Sequence, residues 1–226
     1  MSEYGVIFDL DGVLVDSSRF HRESWRIVGE EKGFVMTDEL FWRTFGMPNR
    51  YIIPLLLGRV PDEAELTEIS ERKEEVFREL AAGRMQALPG SAELVKATAE
   101  DGFRVALGSS TPWSNIRVVL ETLGIRSYFG HIVCADDVTH GKPHPEVFLK
   151  AAQGIGLPPS RCVVIEDAVV GVEAAKAAGM RCLAVTTTHP AEKLALADQV
   201  VPDLTHVTPA NLRALIDARR EAPSPS

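Results

Sequence analysis

Tyr4-Gly5-Val6-Ile7-Phe8-Asp9-Leu10-Asp11-Gly12-Val13 places an apolar run directly before two carboxylates one residue apart. The run has the length of a strand buried on both faces, as inner strands of parallel sheets are. Two acids so close repel each other, and apolar surroundings raise the cost of ionising both. A divalent cation, a shared proton or a passing covalent intermediate would remove that cost, and each of these is chemistry.

Outward from this stretch, the chain beyond Leu88 alternates apolar runs with helical patterns. Strands are expected over 104–107, 131–134, 162–165, 181–185 and 199–201, and helices over 91–101, 116–123, 145–154, 168–178 and 208–218. Strands separated by helices require right-handed crossovers, and so a parallel sheet covered on both faces. Residues 16–83 contain no strand pattern. Helices are expected there over 17–31, from Thr37 onward, and over 61–81, where Leu66, Ile69, Val76, Phe77 and Leu80 share one stripe. The expected fold class is therefore α/β. A core formed by 1–15 and 84–226 is interrupted by an all-α domain over 16–83, and the tail 221–226 is expected to be mobile.

The net charge of −8 disfavours nucleic acid or an anionic membrane as partner. It leaves room for a small phosphorylated metabolite, because local charge decides that. No apolar run reaches membrane-spanning length and no leader pattern precedes Tyr4, so a soluble, cytoplasmic protein is expected. Cys134, Cys162 and Cys182 lie in apolar segments without a CxxC pair and read as small buried hydrophobes. No heptad seam is present, and a monomer is expected.

Four segments fall at or beyond the C-terminal ends of expected strands: Asp9 with Asp11, Ser109-Ser110, Lys142 within Gly141-Lys142-Pro143, and Glu166-Asp167. Open parallel sheets bind ligands outside those ends, so distant segments can meet in one crevice. Their residue types fit phosphoryl transfer through a phosphorylated aspartate. Asp9 is the candidate nucleophile. Mg²⁺ on Asp9, the Asp11 carbonyl and Asp167, with Glu166 reaching it through a water, would cancel the negative charge. Lys142 supplies a point charge to the transferring group. The Ser109 hydroxyl, with N–H groups of Ser110 and of residues 10–12, would hold phosphoryl oxygens. Gly12 permits the tight turn this needs. Asp11 is the candidate general acid and then base. A calcium-loop reading fails, because Gly12 takes the fourth position and Phe20 the twelfth, where Glu is required.

With Phe8-Asp9-Leu10-Asp11-Gly12-Val13, Leu107-Gly108-Ser109-Ser110, Gly141-Lys142-Pro143 and Ile165-Glu166-Asp167-Ala168 in that order, the chain resembles the haloacid dehalogenase superfamily. The likeness is to its branch of small phosphatases and beta-phosphoglucomutase. It implies a Rossmann-like core, a helical cap over 16–83, Mg²⁺ dependence, and the roles given above for Asp9, Asp11, Ser109, Lys142, Glu166 and Asp167. Within the cap, His21, Trp25, Arg50 and Lys73 are the candidates for facing substrate. His21 and Trp25 match residues of that branch, and Arg50 lies one residue from where relatives carry a phosphate- or sugar-binding arginine. The expected function is a Mg²⁺-dependent phosphatase for a small phosphorylated metabolite such as a sugar phosphate. The alternative is a sugar phosphomutase. Thr111-Pro112-Trp113 weighs against it, because relatives of that type carry a polar and basic pair there.

Overall fold

The structure, a computed structural model, describes residues 3–45 and 47–218; the tail 221–226 lies outside the described residues. Strands β1 (Gly5–Phe8), β2 (Arg104–Gly108), β3 (His131–Val133), β4 (Cys162–Glu166), β5 (Arg181–Val185) and β6 (Gln199–Val201) form one sheet. All its pairings are parallel, in the order β3-β2-β1-β4-β5-β6. β1 is central because Val6, Ile7 and Phe8 tolerate no exposure at all.

Alternation along the strands divides the core into two layers. Val6, Phe8, Val105, Leu107, Val163 and Ile165 face helices α5 (Ser91–Glu100), α6 (Trp113–Leu123) and α9 (Pro209–Asp217). Ile7, Ala106, Val164 and Ala184 face α7 (Glu146–Gly154) and α8 (Val169–Ala177). Cys162 and Cys182 lie in the second layer and Cys134 in the first, all three as buried free thiols.

Between β1 and α5 the described residues form four helices: α1 (Ser18–Lys32), α2 (Asp38–Thr44), α3 (Asn49–Leu57) and α4 (Glu63–Ala81). The side chains of Thr37 and Asp62 cap α2 and α4 by accepting from the amides of Leu40 and Glu65. These helices close on their own apolar cluster, which includes Trp25, Val28, Phe41, Ile52, Ile53, Ile69 and Val76. Sequence reading gave no helix over 49–57. Pro54 lies inside it, and proline in a helix interior costs about 3 kcal/mol. Burial of Ile52 and Ile53, at roughly 1.5–3 kcal/mol each, offsets that cost.

The insert leaves and rejoins the core at one place. Val15 bridges to both Asp11 and Ala87, and the Leu88 amide donates to the Leu14 carbonyl at 2.9 Å. α4 reaches beyond the insert, with Phe77 and Ala81 completing the layer that holds α6.

Candidate active site

Register brings the strand ends together. Phe8 is level with Leu107 on one side and Ile165 on the other. The residues that follow therefore leave the sheet side by side. The Asp9 amide donates to the Ile165 carbonyl at 3.0 Å and the Ser109 amide to the Val133 carbonyl at 3.0 Å.

Asp9 is buried, and its Oδ1 accepts from Lys142 Nζ at 2.8 Å. The same ammonium donates to Glu166 Oε1 at 2.7 Å. Glu166 Oε2 in turn accepts from the amides of Asp167 and Ala168, at 2.7 and 2.8 Å. Glu166 thus holds Lys142 against Asp9. It can do so because Gly171 lets the backbone of α8 approach: a Cβ there would lie 1.8 Å from Glu166 Oε1.

Burial is the largest influence on Asp9 and pushes its carboxyl up to about 7; Lys142 opposes this, while Glu166 and Asp11 add to it. Burial also holds Asp167 well above the ordinary range, reinforced by Glu166 and Asp9. Lys142 stands above its usual value, because Asp9 and Glu166 outweigh the penalty of burial. The buried carboxylates of Asp9, Glu166 and Asp167 carry ligand oxygens within 4.8 Å of one another, and Lys142 is the ammonium set against them. A compact, oxygen-only donor set with surplus negative charge suits a hard divalent cation such as Mg²⁺.

Asp11 is turned toward the insert. Its Oδ1 accepts from the Ser17 hydroxyl, and its Oδ2 from the Thr111 hydroxyl at 2.5 Å. His21 Nε2 lies 3.9 Å from Asp11 Oδ1. On the other edge of that ring, Nδ1 is 2.7 Å from Lys73 Nζ. An ammonium can only donate, so Nδ1 accepts and the ring proton lies on Nε2, facing Asp11. Burial, with Lys73 beside it, lowers His21 to about 4, and the ring is neutral. It stacks on Phe77 with centroids 4.1 Å apart.

Lys73 is itself paired with Glu74 at 2.8 Å. Glu74 joins three elements: it accepts from Asn49 Nδ2 at 2.7 Å and from Asn115 Nδ2 on α6. Although burial pushes it up, Lys73, His21 and the hydrogen bond from Asn49 bring the Glu74 carboxyl down to about 2. Arg78, one turn along α4, donates to Ser114 and to Asn115 Oδ1 at 3.1 and 3.2 Å. Both ends of the Asn115 amide are therefore clamped by α4.

The structure brings Asp9, Asp11, Lys142, Glu166 and Asp167 into one crevice. Ser109 is buried beside them, with its hydroxyl accepting from the Thr111 amide at 3.1 Å, and Ser110 is half-buried at the same strand end. His21 and Lys73 reach the crevice from the insert. Trp25 does not, being buried. Trp25 is sealed in the insert's apolar cluster, with Lys73 Nζ 5.5 Å from its ring centroid. Arg50 is exposed, while its neighbour Asn49 turns inward to Ser70 and Glu74.

Sequence reading missed Glu74, Asn115, Thr187 and Thr188, and used Thr111 without its contact to Asp11. The Thr187 hydroxyl donates to the Gly12 carbonyl and the Thr188 hydroxyl to Asp167 Oδ2. Their position just beyond β5, another strand end of the crevice, was a usable signal. Glu74 and Asn115 gave none, since their bond spans 41 residues.

The profile of the haloacid dehalogenase-like hydrolases matches residues 5–179. The 5-amino-6-(5-phospho-D-ribitylamino)uracil phosphatase of Arabidopsis thaliana, a chloroplastic protein, is 33% identical over 215 residues, covering 94% of this chain. The chain spans 58% of the length of that relative. The phosphorylated carbohydrates phosphatase of Thermotoga maritima is 34% identical over 175 residues, covering 77% of this chain and 81% of its own. Among solved structures, a beta-phosphoglucomutase from Clostridium difficile superposes with a TM-score of 0.86 at 27% identity, covering 97% of this chain and 99% of its own. Among the described residues, no helix is long and apolar enough to cross a membrane.

Proposed function

Because the chain belongs to the haloacid dehalogenase-like hydrolase family, we propose that it is a Mg²⁺-dependent phosphatase of small phosphorylated metabolites, sugar phosphates foremost, acting through a phosphorylated Asp9. The observation that carries this reading is the buried Asp9 carboxylate, held at 2.8 Å by an ammonium that Glu166 fixes from behind. The names of the relatives, which specify phosphorylated small molecules, support the substrate class.

Asp9, the main-chain carbonyl of Asp11 and Asp167 would hold the ion, with Glu166 behind them. When bound, it supplies charge neutralisation for the carboxylates and for the phosphoryl group. The remaining work falls to the chain. Lys142 fixes one oxygen of Asp9 and carries positive charge to the transferring group. The other oxygen of Asp9 attacks phosphorus; the Asp9 O–P bond forms as the bond to the leaving oxygen breaks. Asp11 gives that oxygen its proton, then takes one from the water that hydrolyses the acyl phosphate, releasing phosphate and restoring the Asp9 carboxylate. Ser17, Thr111 and the Nε2–H edge of His21 hold or face Asp11 between these steps. The helical insert serves as the cap whose closure excludes water.

Transfer to water is favoured over transfer to a second sugar phosphate by the state of the cap cations. Lys73 is committed to Glu74 and His21, and Pro112-Trp113 follow Thr111 beyond the end of β2. Incubation with Mg²⁺ and a panel of sugar phosphates, nucleotides and phosphoglycolate should release free phosphate. Isomerisation of beta-glucose 1-phosphate, primed by the 1,6-bisphosphate and without phosphate release, would make it a phosphomutase instead.

A further inference from the structure

Two threonines beyond β5 reach into the crevice, and no role in the mechanism above has been given to either. The Thr187 hydroxyl donates to the Gly12 carbonyl, which ties the loop after β5 to the loop that carries Asp11. The Thr188 hydroxyl donates to Asp167 Oδ2. That oxygen is also enclosed by Gly12, whose φ is +78°. A Cβ at Gly12 would lie 1.9 Å from Asp167 Oδ2 and 2.9 Å from Thr188 Oγ1. Oδ2 is thus occupied by a donor on one side and by backbone on another, and Oδ1 is the oxygen left to a ligand.

We propose that Thr188 is a positioning residue for Asp167, setting which carboxylate oxygen is presented to the divalent cation and fixing the carboxylate's rotation. The inference rests on the reading of Asp167 as an ion-holding residue. A carboxylate whose torsion is free must be ordered when the ion arrives; one already held by a hydroxyl need not be. Asp167 has need of such a holder. Its other close neighbours, Glu166 and Asp9, are acids that repel it, and the Lys142 ammonium is taken up by those two. The hydroxyl is a neutral donor, so it orients the group without competing with the cation for it.

The test is Mn²⁺ titration followed by electron paramagnetic resonance, on the wild-type chain, Thr188→Val, Thr188→Ser and Asp167→Asn. Valine keeps the shape of threonine and removes the donor. Thr188→Val should bind Mn²⁺ about tenfold more weakly, the lower range for loss of a partner behind a metal ligand. Thr188→Ser should restore wild-type affinity. In turnover, Thr188→Val should need correspondingly more Mg²⁺ but recover near-wild-type kcat at saturation. Equal Mn²⁺ affinity in wild type and Thr188→Val overturns the proposal, as does a serine variant as weak as the valine one. If Asp167→Asn binds Mn²⁺ as the wild type does, the ion does not sit on Asp167 and the metal reading itself falls.

Discussion

Asp9 and Lys142 are 133 positions apart in the chain and 2.8 Å apart in space. Asp9→Asn removes the nucleophile and keeps the shape. Turnover should drop by at least about 10³-fold, the scale for losing a nucleophile, while the circular dichroism spectrum stays unchanged. Near-normal phosphate release from that variant would reassign the nucleophile. At this scale the sequence was most legible where one short motif carries both position and chemistry. Asp9 and Asp167 each follow an apolar strand of unmistakable pattern and Glu166 ends one, so their place at a strand end could be inferred. Glu74 stands in an amphipathic helical stretch rich in similar residues, and Asn49 in a stretch without a readable helical pattern. The contacts of α4 with α3 and α6 give Glu74 its asparagine partners, and local pattern holds no record of them.

The helices of the insert divide into those that build it and those that join it to the core. Trp25 belongs to the first kind. Trp25→Ala should cost about 3–5 kcal/mol in chemical denaturation, as loss of a buried aromatic does, with little change in the ranking of substrates. A shift in ranking without loss of stability would place that ring against substrate instead. α4 belongs to the second kind, and Asn115 on the core helix α6 receives it through Glu74 and Arg78. Asn115→Leu leaves the buried Glu74 carboxylate and Arg78 each short of a partner, and should cost about 1–3 kcal/mol. If unfolding of that variant matches the wild type, the clamp between α4 and α6 contributes nothing to the closed arrangement. At the level of elements, helices with a clear apolar stripe were readable. α3 was not, because Pro54 is a local veto that only the burial of Ile52 and Ile53 overrules.

For the molecule as a whole, the crevice stores an electrostatic cost that the ion would relieve. Burial pushes the Asp9 carboxyl up to about 7, against about 3.9 for an unperturbed aspartate. The fold therefore holds that proton more tightly than the unfolded chain does. The stability this contributes is complete below about pH 4 and is lost as pH rises through about 7. Asp167 is displaced in the same direction. A bound cation requires the ionised carboxylates, so the gain in Tm on adding Mg²⁺ should be larger at pH 8 than at pH 5. Taking the difference with and without the ion at each pH cancels unrelated titrations such as that of His21. Equal gains at both pH values would mean that the ion binds elsewhere.

The crossings at Leu14-Val15 and Ala87-Leu88 run side by side, joined by a backbone hydrogen bond. To the sheet, everything spliced between them enters and leaves as a single short hairpin would, with α4 lending Phe77 and Ala81 to the core beside it. A foreign cassette with the same closely spaced ends, apolar side chains at the places of Phe77 and Ala81 and a donor at the place of Ser17 could be transplanted there with the sheet, Asp9 and Lys142 left in register. Chemistry and choice of substrate would then be inherited separately, the one from the scaffold and the other from whatever is threaded through that doorway.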